Sequence, residues 1–266
     1  MLSKKIVKLL CTLPLLLGLA ACNNDDAKTI KIGATVGPHA EVVEAVAVEA
    51  EKQGLNVEVV IFSDYITPNA ALADGSLDMN SYQHQPFLDN FNTNSEQKLV
   101  SVGQSILMRM GIYSSKYQSI ADLPDQARIS IPNDPTNGSR ALILLADAGL
   151  ITLNENTAAK ATPYDIAENP KQFEFVEVEA AQLPRTLDDV DASVITMNYV
   201  MSSGLNPAEQ GIYLESEDAK FAVMQIAARA EDKDNETYKK VVEIFQSQAI
   251  QDFVSKTYKG TIEVAR

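Results

Sequence analysis

Tryptophan is absent from this sequence, histidine and cysteine each occur twice, and aromatic residues make up only 6% of the chain. Basic residues are also scarce, 22 against 36 acidic ones, for a formal net charge of −14. So acidic a chain, with no basic stripe, is repelled by nucleic-acid phosphates and by anionic lipid headgroups, which excludes a nucleic-acid binder. Two histidines without a His-x-His pair, a cysteine cluster or a His-rich loop fall short of the three or four ligands a zinc site needs, so no metal is expected. Ser81 lies near His84 in sequence but has no Gly-x-Ser-x-Gly elbow around it. There is no phosphate-cradling glycine loop with lysine and no dinucleotide fingerprint after the first strand. No cofactor is expected, and the chain does not read as an enzyme.

The apolar run that stands out is at the start, "MLSKKIVKLLCTLPLLLGLAAC". Lys4, Lys5 and Lys8 precede an apolar stretch too short to span a bilayer as a mature helix, which is the pattern of a secretory signal over residues 1–21. "LAAC" resembles a bacterial lipobox, in which Cys22 is lipidated and becomes the mature N-terminus. Cys11 lies in the discarded segment, so the mature chain holds one cysteine and cannot form an internal disulfide. Residues 22–28 are polar and read as a flexible tether. The signal carries three basic and no acidic residues, so its removal leaves a net charge of −17. Membrane attachment is therefore expected through the lipid alone, in the bacterial cell envelope, at the periplasmic face or the outer membrane.

The mature part alternates strands and helices. "TIKIGAT" alternates as a strand does, and "HAEVVEAVAVEAEKQG" places Val42, Val43, Val46 and Ala50 on one helical face. "LNVEVVIF" is rich in β-branched residues, and this strand–helix–strand unit predicts a parallel sheet. A second α/β series starts at "ARISIPN", and one helical stretch is expected from Glu236 to about Thr257. The run from Lys98 to Ser114 is long enough to leave one sheet and enter another. Crossings near Arg109 and Ala222 divide the chain into lobe 1, residues 29–109 plus 222–266, and lobe 2, residues 110–221, with a cleft between them. Open parallel sheets place ligands beyond the carboxyl ends of their strands.

One of the segments after a strand end holds a contradiction. In "IPNDPTNGSRALILL", Asn137 reads as the N-cap of a helix, and Arg140 then sits near its positive end. Either Arg140 is a surface residue that turns to solvent or pairs with Asp134, or it and the backbone N–H groups await an anion from outside the chain. On the second reading Arg140→Ala abolishes binding and leaves the melting temperature of the ligand-free protein nearly unchanged. His39, just after Pro38, reads as serving the turn or helix start.

The segments "GPHAEVVE", "FSDYITPNAALADGSLDMNSYQHQPFLD", "IPNDPTNGSRALILL" and "AQLPRTLDDVDASVITMNY" resemble the methionine-binding lipoprotein family, the solute receptors of an ABC importer. Similar motifs run from the lipobox to about residue 230. The resemblance implies an α/β, two-lobed periplasmic-binding-protein fold of type 2 with the ligand cleft between the lobes. It implies that Arg140 binds the ligand carboxylate, that Tyr65, Tyr82 and Phe87 wall the thioether, and that His84 sits beside them. Thr196 and Met224 stand where the family has two ligand-contacting asparagines. The expected role is a lipid-anchored receptor for L- or D-methionine, monomeric, working with an ABC permease and ATPase. The two replaced asparagines leave open a methionine-containing dipeptide or another small carboxylate, and also a surface lipoprotein with a degenerate cleft.

Overall fold

The structure, a computed structural model, describes residues 29–265 apart from 156, 158, 159 and 217. The signal, the tether and Cys22 lie outside the described residues. The chain opens with β1 (Ile30–Thr35), α1 (Pro38–Glu51) and β2 (Val57–Phe62). The two strands pair in parallel, from Ile30 opposite Val57 to Thr35 opposite Phe62, as strands joined by a helical crossover do. Val42, Val43 and Val46 on α1 are buried with Ile30, Ile32 and Ala34 of β1. Each such side chain contributes about 1.5–3 kcal/mol by leaving water.

Next come α2 (Thr67–Ala73), β3 (Met79–His84), α3 (Gln85–Asn94) and β4 (Leu99–Leu107). The chain then crosses through Met108 and Arg109 into β5 (Met110–Tyr113), so the long β-rich run does feed two sheets. There follow β6 (Arg128–Pro132), α4 (Pro135–Asp147), the short β7 (Thr152–Leu153) and β8 (Ile166–Glu168), and β9 (Glu174–Val178). Then come α5 (Leu183–Thr186), β10 (Ala192–Thr196), α6 (Met197–Ser202), α7 (Pro207–Gln210) and β11 (Gly211–Leu214). The return crossing at Ala222 leads into β12 (Val223–Arg229), α8 (Glu236–Phe245), α9 (Gln248–Tyr258) and β13 (Glu263–Val264).

The first sheet has the order β13-β4-β12-β3-β1-β2, and the second β11-β5-β10-β6-β9. Each is parallel where helices connect its strands and antiparallel where a crossing strand enters. This is a two-lobed α/β fold, and the two crossings are tied to each other by a 2.7 Å bond from Met108 N–H to the Ala222 carbonyl. The larger apolar cluster does not stop at one lobe, because Met197, Tyr199 and Val200 of α6 join the side chains of α1 and the first sheet. The lobes therefore meet across the cleft.

The expected single helix from Glu236 is in fact two. Ser247 is extended, and its hydroxyl accepts from Ile250 N–H at 3.4 Å, so it caps α9 and ends α8.

Candidate functional site

A small cavity lies between the lobes, and its walls include Tyr65, Tyr82, His84 and Phe87 from the first lobe. Arg140 and Thr196 come from the second, and Met224 from β12 just after the return crossing. Their convergence follows from strand geometry. Tyr82 and His84 are two apart on β3 and share a face, and Met224 stands opposite His84 in the antiparallel β3–β12 pair. Gln225, one residue on, turns away and accepts from the Ser101 hydroxyl at 2.8 Å. Phe87 follows on the first turn of α3, and Tyr65 sits in the loop after β2.

The three rings form one cluster. Tyr65 and Tyr82 lie 6.1 Å apart, and Phe87 meets Tyr65 at 6.1 Å and Tyr82 at 5.9 Å, edge-on to both. Burial pushes both phenols up, so they stay protonated at neutral pH. The Tyr82 hydroxyl donates to the Tyr65 carbonyl at 3.0 Å, and the Tyr65 hydroxyl lies 2.7 Å from Thr196 Oγ1 and donates to Asn198 Oδ1 at 2.5 Å. Tyr65 thus links the lobes.

Arg140 corrects two sequence expectations. The helix begins earlier than Asn137: Asp134 is the N-cap, accepting from Thr136 and Asn137 N–H, and Pro135 opens the first turn. Proline at the first helical position, with its preset φ, makes this the stronger start. Arg140 therefore lies beyond the first turn, where the helix dipole has faded. Nor does the guanidinium wait unpaired by protein. Its Nε donates to Glu215 Oε1 at 2.9 Å and its Nη2 donates to Glu215 Oε2 at 2.5 Å, with a further bond from Nη2 to the Met108 carbonyl at 2.9 Å. Both side chains are buried, Arg140 at 3% exposure and Glu215 at 7%.

The expectation that Arg140→Ala leaves the ligand-free protein's stability unchanged falls with it, because the substitution strands a buried carboxylate. These bonds use Nε and Nη2, and no bond of Nη1 to a described residue is present. Glu215 is itself held by Met110 N–H at 2.9 Å, so the fork anchors the guanidinium to the crossing segment between the lobes.

His84 spans the lobes too. It caps α3 by accepting from Phe87 N–H on Nδ1 at 3.2 Å, which leaves its proton on Nε2, 3.1 Å from Asn137 Oδ1. Burial, with the nearby Arg140 charge, lowers its pKa to about 3, so the ring is neutral. Asn137, instead of capping its helix, holds this histidine and donates its own amide to Asp134 at 3.0 Å.

Sequence reasoning missed several contributors, Gln83 and Met197 among them. Glu215 is distant in the chain from Arg140 and has no local motif. Met108 and Asn198 also line the cavity, as does His39, which lies buried in the first turn of α1. Among the described residues, no three His, Cys, Asp or Glu side chains cluster as a metal site would need, and no helix is long and apolar enough to cross a membrane.

Known proteins resemble this chain in sequence and fold. The chain is 42% identical over 249 residues to the D-methionine-binding lipoprotein MetQ of Salmonella typhi, covering 92% of each. It superposes with a TM-score of 0.86 on a nutrient binding protein from Burkholderia cenocepacia bound to methionine, at 45% identity, over 89% of this chain and all of that one. An ABC transporter periplasmic substrate-binding protein from Coxiella burnetii superposes at 0.84 with 38% identity, over 89% of this chain and all of that one. The model of the NlpA lipoprotein family matches residues 30–265, from the first strand to past the last. The chain belongs to the NlpA lipoprotein family.

Proposed function

We propose that the protein is a lipid-anchored solute receptor of an ABC importer and that its cavity takes methionine. The observation that carries this reading is the cavity's polarity. Its lining combines a single guanidinium, fixed by Glu215 with Nη1 unbonded among the described residues, with a cluster of three rings and with Met224 beside His84. A carboxylate pairs with the cation in a low-dielectric site, and a thioether suits the aromatic faces. The relative bound to methionine and the relative named for D-methionine point to the same ligand.

In this reading Arg140 and Thr196 serve the polar end, and Tyr65, Tyr82 and Phe87, with His84 and Met224 beside them, take the side chain. No bond is made or broken. The ligand enters when the lobes part at the two crossings, and closure restores the Tyr65–Thr196 and His84–Asn137 links and buries it. The closed form is what a permease and its ATPase would recognise, while lipid on Cys22 holds the acidic body near the bilayer of the cell envelope. Titration calorimetry with L- and D-methionine tests the proposal: saturable one-to-one binding of either supports it, and silence with both contradicts it.

A further inference from the structure

Two buried polar atoms at the cavity lack a partner among the described residues. They are Nδ2 of Asn198 and Nδ1 of His39. Both side chains line the cavity, and both are more than nine-tenths buried, at 2% and 3% exposure. A buried donor or acceptor left unpaired is costly, so native folds keep one where something from outside completes it.

The two residues belong to one wall. Gly37, which precedes α1, approaches α6 so closely that an added Cβ would sit 3.1 Å from the Asn198 carbonyl oxygen and 3.3 Å from Ser202 Cβ. The start of α1 and the start of α6 thus pack together across the cleft, and each brings to the cavity lining one residue with an unsatisfied group.

Their chemistry differs in a useful way. Asn198 Oδ1 is already engaged by the Tyr65 hydroxyl, which fixes the amide and leaves Nδ2 as a free donor. A free donor calls for an anion or a carbonyl. His39 is held neutral by burial, with its pKa lowered to about 3, so its ring carries a lone pair that accepts from a cation's N–H. Among the residues lining the cavity there is no Asp or Glu to take an ammonium, and Glu215 is occupied by Arg140.

We propose that Asn198 and His39 form a clamp for the α-amino-acid end of the ligand, Asn198 Nδ2 donating to the carboxylate alongside Arg140 and His39 Nδ1 accepting from the ammonium. This rests on the reading of the cavity as a methionine site and narrows it to a free α-amino acid with both groups unblocked. The clamp supplies, from α1 and α6, polar contacts that the Met224 side chain cannot make.

Calorimetry on the mature protein tests it, with methionine and its amine-free analogue 4-(methylthio)butanoate. Asn198→Asp keeps the acceptor for Tyr65 and replaces only the free donor, so both ligands should weaken by at least about tenfold, the value of one hydrogen bond to a charged group. His39→Leu should weaken methionine by a similar factor and leave the amine-free analogue unchanged, while His39→Asn, which restores an acceptor near the Nδ1 position, should recover most of the loss. Melting curves of the ligand-free variants confirm that each is folded. Wild-type binding of methionine with unaltered affinity in Asn198→Asp or His39→Leu, or no recovery in His39→Asn, overturns the clamp alone. Wild-type protein that binds neither ligand overturns the receptor reading beneath it.

Discussion

Arg140 and Glu215 stand 75 residues apart in the chain and meet as a two-point ion pair, Nε on Oε1 and Nη2 on Oε2, buried beside the crossing between the lobes. Desolvating both charges offsets much of their attraction, so the pair adds little net stability over an apolar substitute. Its consequence is positional. The guanidinium cannot swing, and the side it leaves open is the side of Nη1.

Glu215→Gln is therefore expected to remove about 3–5 kcal/mol of stability in denaturant unfolding, by leaving the guanidinium buried without its acid. A ligand carboxylate then partly replaces the lost acid, so methionine should raise the melting temperature of this variant more than that of the wild type. Unchanged unfolding in Glu215→Gln would mean that water reaches the pair.

Two buried neutral imidazoles make the fold acid-sensitive. His39 and His84 have their pKa lowered to about 3 from an ordinary 6.5, His39 by burial and His84 by burial and the Arg140 charge. The unfolded chain thus takes up protons that the fold refuses. Their stabilisation is complete above pH 6.5 and is lost as pH falls toward 3, at about 1.4 kcal/mol per pH unit for each ring. Urea unfolding between pH 7.5 and 5 should show this slope, and His84→Gln should halve it. A flat profile would mean that both rings reach solvent.

Tyr65→Phe deletes one hydroxyl that touches Thr196 and Asn198 across the cleft. Each lost bond is worth about 0.5–1.5 kcal/mol, and the loss falls on the closed arrangement. Methionine affinity should drop about tenfold while the ring keeps its packing. X-ray scattering of the ligand-free variant should give a larger radius of gyration than wild type if Tyr65 is the latch, and an equal one if it is only a wall.

Gly37→Ala tests the contact between α1 and α6. Gly37 has φ of 81° and ψ of −143°, a region that costs a side-chain-bearing residue about 1–3 kcal/mol. The added methyl also presses on the Asn198 carbonyl. Lower stability together with weaker ligand binding is expected; lower stability with unchanged binding would separate this contact from the site.

The alternation of β1, α1 and β2 was plain from spacing, because one apolar face per element is what a covered parallel sheet demands. Tyr82, His84 and Phe87 were named through the family resemblance; in the fold the period-two face of β3 running into the start of α3 brings them to one cavity. Pairings across long separations were not legible. Nothing near Arg140 announces Glu215, and the Asp134-Pro135 cap was outweighed by Asn137 although aspartate before proline is the better signal. His39 looked like a turn residue since its neighbour Pro38 opens a helix, and its place in the cavity lining depends on how α1 packs against the rest of the fold. The break before Ser247 was hidden because α8 and α9 keep one apolar pattern through it.

The most direct measurement is a crystal structure of the protein grown with methionine. The expected density places the carboxylate against Nη1 of Arg140, with Arg140 still held by Glu215, and the thioether among Tyr65, Tyr82 and Phe87. Methionine bound elsewhere, or in this cavity with its carboxylate turned to the rings, would contradict the account.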